Sequence, residues 1–138
     1  MEKVNAVLAG RHCVFMLHVH LAFVTKYRRA VFTKEIREDL KNIFSEVCMD
    51  FEAKLEEFDG EDDHARLLVT YPQKVAISHI INSLKGVSSR LIRKKEYPSI
   101  QRKLWGKYLW SPSCFAGSCG GAPLSVLKQY IESQRTTD

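Results

Sequence analysis

The chain has no Cys-x-x-Cys pair, few prolines and no long uninterrupted apolar run. Its four cysteines, Cys13, Cys48, Cys114 and Cys119, are too scattered for a structural zinc site. The most apolar stretch, Cys13 to Thr25, is broken by His18 and His20 and ends in the basic run Lys26-Tyr27-Arg28-Arg29. It is too short and too polar to span a bilayer and is not a clean signal peptide, so no membrane partner is expected. With no export signal, the expectation is a cytoplasmic protein with free thiols. Nothing beyond a few terminal residues reads as disordered, because the composition is 45% apolar and 27% charged.

What is present fits one compact domain, residues 1–138. The formal charge is +5, which favours a polyanionic partner without proving one. Charge is unevenly placed. Asp50 to Asp63 holds eight acids against one lysine, whereas Lys85 to Lys107 holds eight bases against one acid, Glu96. These are either two solvated surfaces of opposite sign or a phosphate-binding face. The second reading draws on Tyr97, Trp105, Tyr108 and Trp110, interleaved with Lys85, Arg90, Arg93, Lys94, Arg102 and Lys103. Bases neutralise phosphates, and aromatic rings stack on unpaired nucleobases. The run Lys26, Arg28 and Arg29 either clamps phosphate or caps a strand end.

The periodicities predict β-α-β-β-α-β and a final helix. Cys13 to Thr25 reads as a buried strand. Thr33 can cap a helix carrying Ile36, Leu40, Ile43, Phe44 and Val47, although no acid follows three residues on to complete a capping box. Ala53 to Phe58 suits a short charged edge strand. Gly60 and the acids after it make a turn, and Ala65 to Tyr71 is a strand stopped by Pro72. A second helix runs from about Val75 to Lys94. Pro98 is expected in a loop, and Pro112 ahead of a strand from Ser113 to Ser118. Gly120-Gly121 reads as a hinge and Pro123 as the start of a helix through Gln134. The expected class is therefore α+β. A four-stranded antiparallel sheet carries two helices on one face, in the ferredoxin-like split βαβ arrangement, with an additional C-terminal helix bearing Tyr130.

Three groups of residues could carry chemistry. His64 and Arg66 lie two apart, on one face of a strand, with Asp63 beside them. A lone histidine there can equally be an ordinary polar edge residue. Tyr130 and Gln134 lie four apart on one helix face. A tyrosine hydroxyl can attack a phosphodiester, and a glutamine oxygen can join a metal shell, but Tyr130 can equally pack its helix on the sheet. His18-Val19-His20 is the one intact His-x-His, and these histidines can be hydrogen-bonded sheet residues or accessory ligands. His12 and His79 are assigned no role.

Several fragments together resemble the small single-tyrosine His-hydrophobe-His transposases of bacterial insertion sequences, the IS200-like family. They are His20-Leu21, Thr25-Lys26-Tyr27-Arg28-Arg29, Asp63-His64 with Leu67-Leu68, Pro72, Leu84-Lys85-Gly86, Leu104-Trp105, Leu109-Trp110-Ser111-Pro112-Ser113 and Gln129-Tyr130-Ile131-Glu132-Ser133-Gln134. The resemblance spans nearly the whole chain. It implies a homodimer that binds a single-stranded DNA hairpin and cleaves and rejoins it through a 5′-phosphotyrosine at Tyr130. It implies Mg²⁺ or Mn²⁺ held by His64, residue 66 and Gln134. It further implies that the helix at 123–135 crosses the dimer.

Two departures stand out. Cys114 replaces a frequent aromatic, which bears on packing. Arg66 replaces the second metal histidine, and a guanidinium has no lone pair for a cation. Arg66 then admits three readings: an impaired transposase that still binds DNA, an enzyme whose arginine clamps the scissile phosphate, or an enzyme that recruits metal through Asp63, His18 or His20. A domesticated DNA-binding regulator with the same fold is the alternative function.

Overall fold

Alternation along two central strands sets the architecture. In the computed structural model, which describes residues 15–104, 106 and 108–119, strand β1 (Met16–Thr25) buries Val19, Leu21 and Phe23. Its even-numbered residues His18, His20, Ala22 and Val24 stand on the opposite face, half-buried. Strand β3 (His64–Pro72) repeats the pattern, with Ala65, Leu67 and Val69 in the core and His64, Arg66, Leu68 and Thr70 on the other side. The period-2 geometry of a strand forces this division.

Two helices cover the apolar face. Helix α1 (Lys34–Asp50) starts where the Thr33 hydroxyl accepts from the Ile36 amide at 3.3 Å. It buries Ile36, Leu40, Phe44 and Val47. Helix α2 (Ile77–Lys94) buries Ile80, Leu84, Ser88 and Ile92, every fourth residue, so one stripe meets the sheet. Ser88 is the polar member of that stripe. Its hydroxyl accepts from the Trp110 indole at 2.8 Å, which satisfies the one donor that burying a tryptophan would otherwise strand. Trp110 in turn packs edge-on to Phe23 and Phe32, with ring centroids 5.6 and 5.4 Å away.

With β2 (Lys54–Gly60) and β4 (Trp110–Ser118), the sheet order is β2-β3-β1-β4, antiparallel throughout. This is the split βαβ arrangement expected from the sequence, with β2 as the charged edge. Two prolines behave differently from expectation. Pro98 begins a short helix, α3 (Pro98–Lys103), where its missing amide is harmless at the first helical position. Pro112 lies inside β4 rather than before it, which an edge strand tolerates because one side of its ladder is unpaired. The strand ends also shift: β1 begins at Met16, β2 runs two residues past Phe58 to Gly60, and β3 takes in one more residue at each end, His64 and Pro72. Among the described residues no helix is long and apolar enough to cross a membrane. The expected C-terminal helix at 123–135, with Tyr130 and Gln134, and Trp105 lie outside the described residues.

Candidate functional site

The face of the sheet away from the helices is polar, and strand register arranges it in rows. One row runs Asp59, Arg66, Ala22, Phe115, from β2 through β3 and β1 to β4. The next runs Glu57, Leu68, His20, Gly117. His64 lies opposite Val24 at the β3 start, and His18 lies opposite Thr70 toward the other end. The sequence-predicted pair 64 and 66 therefore does share a face. His20 joins it diagonally to Arg66. His18 is drawn away, its Nδ1 2.8 Å from the Thr70 hydroxyl.

His64 is held by its neighbour. Its Nδ1 lies 2.8 Å from Oδ1 of Asp63. Its Nε2 is buried and has no hydrogen-bond partner among the described residues. A carboxylate on one ring nitrogen fixes the tautomer and leaves the other nitrogen's lone pair to face a ligand. The Asp63 carboxylate also lies 3.6 Å from the Arg28 guanidinium. Backbone hydrogen bonds tie the two loops together at this point. The Asp63 carbonyl accepts from Thr25, and the Asp62 carbonyl accepts from Val31 and Phe32, each at 2.9 Å. Tyr27 and Arg28 take left-handed backbone angles, φ 59° and 54°, in the turn that carries the basic run. Such angles cost free energy in non-glycine residues and are maintained here by the flanking hydrogen bonds.

Arg66 turns toward the edge of the sheet. Its Nη2 donates to Oδ2 of Asp59 at 3.1 Å, and the two side chains are only 11% and 8% exposed. Register places Asp59 directly opposite. Burial, and secondarily the Arg66 charge, pushes the His20 imidazole below its usual pKa. His20 is thus held toward its neutral form.

Among the described residues the donors do not complete a shell for a divalent cation. His64 Nε2 has the right chemistry for one ligand position, but position 66 presents a cation already paired with a carboxylate. Among the described residues no group of three His, Cys, Asp or Glu side chains converges as a metal shell.

The basic residues divide into two kinds. Lys85 donates to the carbonyls of Ser111 and Pro112, at 2.8 and 3.2 Å. Arg93 donates to the carbonyls of Leu104, Gly106 and Tyr108. Both hold the segment that leads into β4. Lys103 reaches the Ala30 carbonyl at 3.1 Å. Arg28, Arg29, Arg90, Lys94 and Arg102 are exposed. Lys26 lies 5.3 and 5.2 Å from the Tyr27 and Tyr108 ring centroids. Lys26, Lys85, Arg90 and Arg93 border a cavity of about 960 Å³ beside Tyr108 and Trp110.

Sequence reasoning missed Asp59 and Phe115. Asp59 is two residues from Glu57, so alternation places them on one face, but only the register shows which residue it meets. Phe115 carries no motif signal of its own.

A family model described as "Transposase IS200 like" matches residues 13–134. The ISDra2 transposase TnpA of Deinococcus radiodurans is 32% identical over 125 residues, 91% of this chain and 89% of that protein. The transposase for insertion sequence element IS200 of Salmonella typhimurium is 26% identical over 119 residues, 86% of this chain and 77% of that one. A Deinococcus radiodurans crystal structure assigned as a transposase superposes with a TM-score of 0.71 at 30% identity, covering 91% of this chain and 95% of that one. A REP-associated tyrosine transposase bound to a REP hairpin superposes at 0.60 with 13% identity, over 89% of this chain and 66% of that one, which speaks to fold alone.

Proposed function

The chain belongs to the IS200-like single-tyrosine transposase family, and on that premise we propose that it is a homodimer that binds single-stranded hairpin DNA, with strand cleavage by Tyr130 impaired by Arg66. The observation that carries the impairment is the Arg66–Asp59 ion pair. It occupies the second ligand position with a cation and directs a carboxylate at that cation rather than at a metal. His64 keeps its part of the site, oriented by Asp63, with Nε2 buried and without a hydrogen-bond partner among the described residues. Because the described donors do not complete a shell for Mg²⁺ or Mn²⁺, no step is assigned to either ion. Gln134 is the further metal residue that the family resemblance implies.

In the proposed reaction the Tyr130 oxygen attacks the scissile phosphorus. The P–O3′ bond breaks, a 5′-phosphotyrosine forms and the 3′-oxygen leaves and is protonated. Rejoining reverses these bonds with a new 3′-hydroxyl. Binding is assigned to the exposed bases Arg28, Arg29, Arg90, Lys94 and Arg102 and to Lys26, with Trp105 added from the sequence pattern alone. Their neutralisation of phosphates is sequence-independent and salt-sensitive.

The test is a labelled single-stranded hairpin offered with Mn²⁺ to the wild type, Tyr130→Phe and Arg66→His. All three should retain the hairpin at moderate salt. Wild-type cleavage should be low, and Arg66→His should raise it at least about tenfold, a change of about 1.4 kcal/mol in the barrier. Wild-type cleavage that depends on Tyr130 and already matches Arg66→His would refute the impairment. The buried ion pair also favours a second reading, a DNA-binding regulator in which the substitution at 66 is structurally settled. On that reading Arg66→His binds DNA and gains no cleavage.

A further inference from the structure

We propose that Phe115 is a stacking platform for a nucleobase beside the phosphodiester that the His64–Arg66 site receives. This rests on the single-stranded DNA reading above and adds a residue that determines how the unpaired strand is seated.

Phe115 is a large apolar side chain, 58% exposed, on the face that also carries His20, His64, Arg66 and Asp59 beside Ala22 and Leu68. Its pose is defined. The outer end of the ring lies over Gly117, where a Cβ would stand 2.8 Å from Cζ. The ring also meets His20 edge-on, with centroids 6.0 Å apart. A glycine two residues along the same strand thus gives the ring its seat, and His20 limits how far it can swing.

Register supplies the distance. Phe115, Ala22 and Arg66 are consecutive across β4, β1 and β3. Two strand spacings separate the aromatic ring's backbone from that of the guanidinium, about 10 Å. Only the Ala22 methyl stands between them in that row. The ring on β4 and Arg66 on β3 thus flank Ala22 in one row, with His64 two residues from Arg66 on the same face. A nucleotide matches that pattern, its base on the ring and its phosphate toward the cation and imidazole. Stacking on an aromatic face accepts any base, so the platform adds affinity for unpaired strand without reading its sequence.

The experiment compares two DNAs sharing one hairpin stem, one blunt and one with a single-stranded extension, against the full chain. Phe115→Ala should weaken binding of the extended hairpin about tenfold or more, within the range measured for loss of one base–aromatic stack. It should leave the blunt hairpin unchanged. Phe115→Trp should retain the extended hairpin and show indole quenching when it is added. Gly117→Ala, which displaces the ring without removing it, should resemble Phe115→Ala. Urea midpoints for each variant separate lost binding from lost fold. If the wild type binds neither DNA, the hairpin reading falls and takes this proposal with it. If the wild type binds both and Phe115→Ala matches it, or loses both equally, the platform alone is overturned and Phe115 merely covers Gly117.

Discussion

Alternate residues of one strand, β3, belong to two different kinds of chemistry. Ala65, Leu67 and Val69 face the helices at zero exposure and pack as apolar surface. His64 and Arg66 face the other way, and each is held by one carboxylate, Asp63 and Asp59 respectively. On the helix side, stability comes from area removed from water, which is non-directional and tolerant of which apolar residue supplies it. On the polar side the contacts are directional, and that of Arg66 with Asp59 is set by strand register. A substitution there removes a specific ligand or charge and leaves most of the fold intact, so the site can change while the family fold persists.

The largest effect should come from the helix side. Phe44 is fully buried and its ring lies 5.9 Å from those of both Phe23 and Phe58. Phe44→Ala should cost about 3–5 kcal/mol in urea unfolding, a large share of a small domain's stability. A loss no larger than that of an exposed substitution would erase the contrast between the faces. Arg66→Ala should come next. It leaves Asp59 without its guanidinium in a nearly buried position, a cost of about 1–2 kcal/mol after allowing for the solvent that the polar face retains. Arg66→His should lose less, because an imidazole can still donate to Asp59. Equal losses for the two would mean that the ion pair does not stabilise position 66.

The smallest effect on stability should come from Arg90→Ala, within about 0.5 kcal/mol, because the side chain is exposed. Its effect should appear instead in DNA binding, with the salt slope reduced by about one. Lys85→Met should behave in the opposite way, lowering the urea midpoint because two carbonyls at the start of β4 lose their donor. If the two variants exchange signatures, the division of the basic residues into exposed and structural is wrong.

Much of this was legible from residues alone. The Val, Phe and Leu content of Cys13 to Thr25 marked a buried strand, and the recurrence of Ile77, Ile80, Ile81, Leu84, Val87, Leu91 and Ile92 marked the second helix. Thr33 capped the helix it was expected to cap. Pro98 and Pro112 were less legible, because proline excludes a donor without saying whether the chain needs one there. A first helical turn and an edge strand do not. The site was legible as a set of residue types, His64 followed by Arg66, but not as a set of pairs. The ion pair that absorbs Arg66 joins residues seven apart through a hairpin whose register includes a shift between Leu55 and Glu57. Neither Asp59 nor Phe115 could be placed without that register and its counterpart on β4.

The sequence by itself determined the apolar periodicities and hence the layers, the uneven charge and the family. These are local or compositional properties, carried by each residue's own side chain and its spacing along the chain. Only the tertiary structure decided which carboxylate meets Arg66, which bases are committed to backbone carbonyls and which ring faces the site. Those outcomes depend on packing between distant segments, and for Asp59, Arg66 and Phe115 a shift of one residue in strand pairing would move the side chain to the other face.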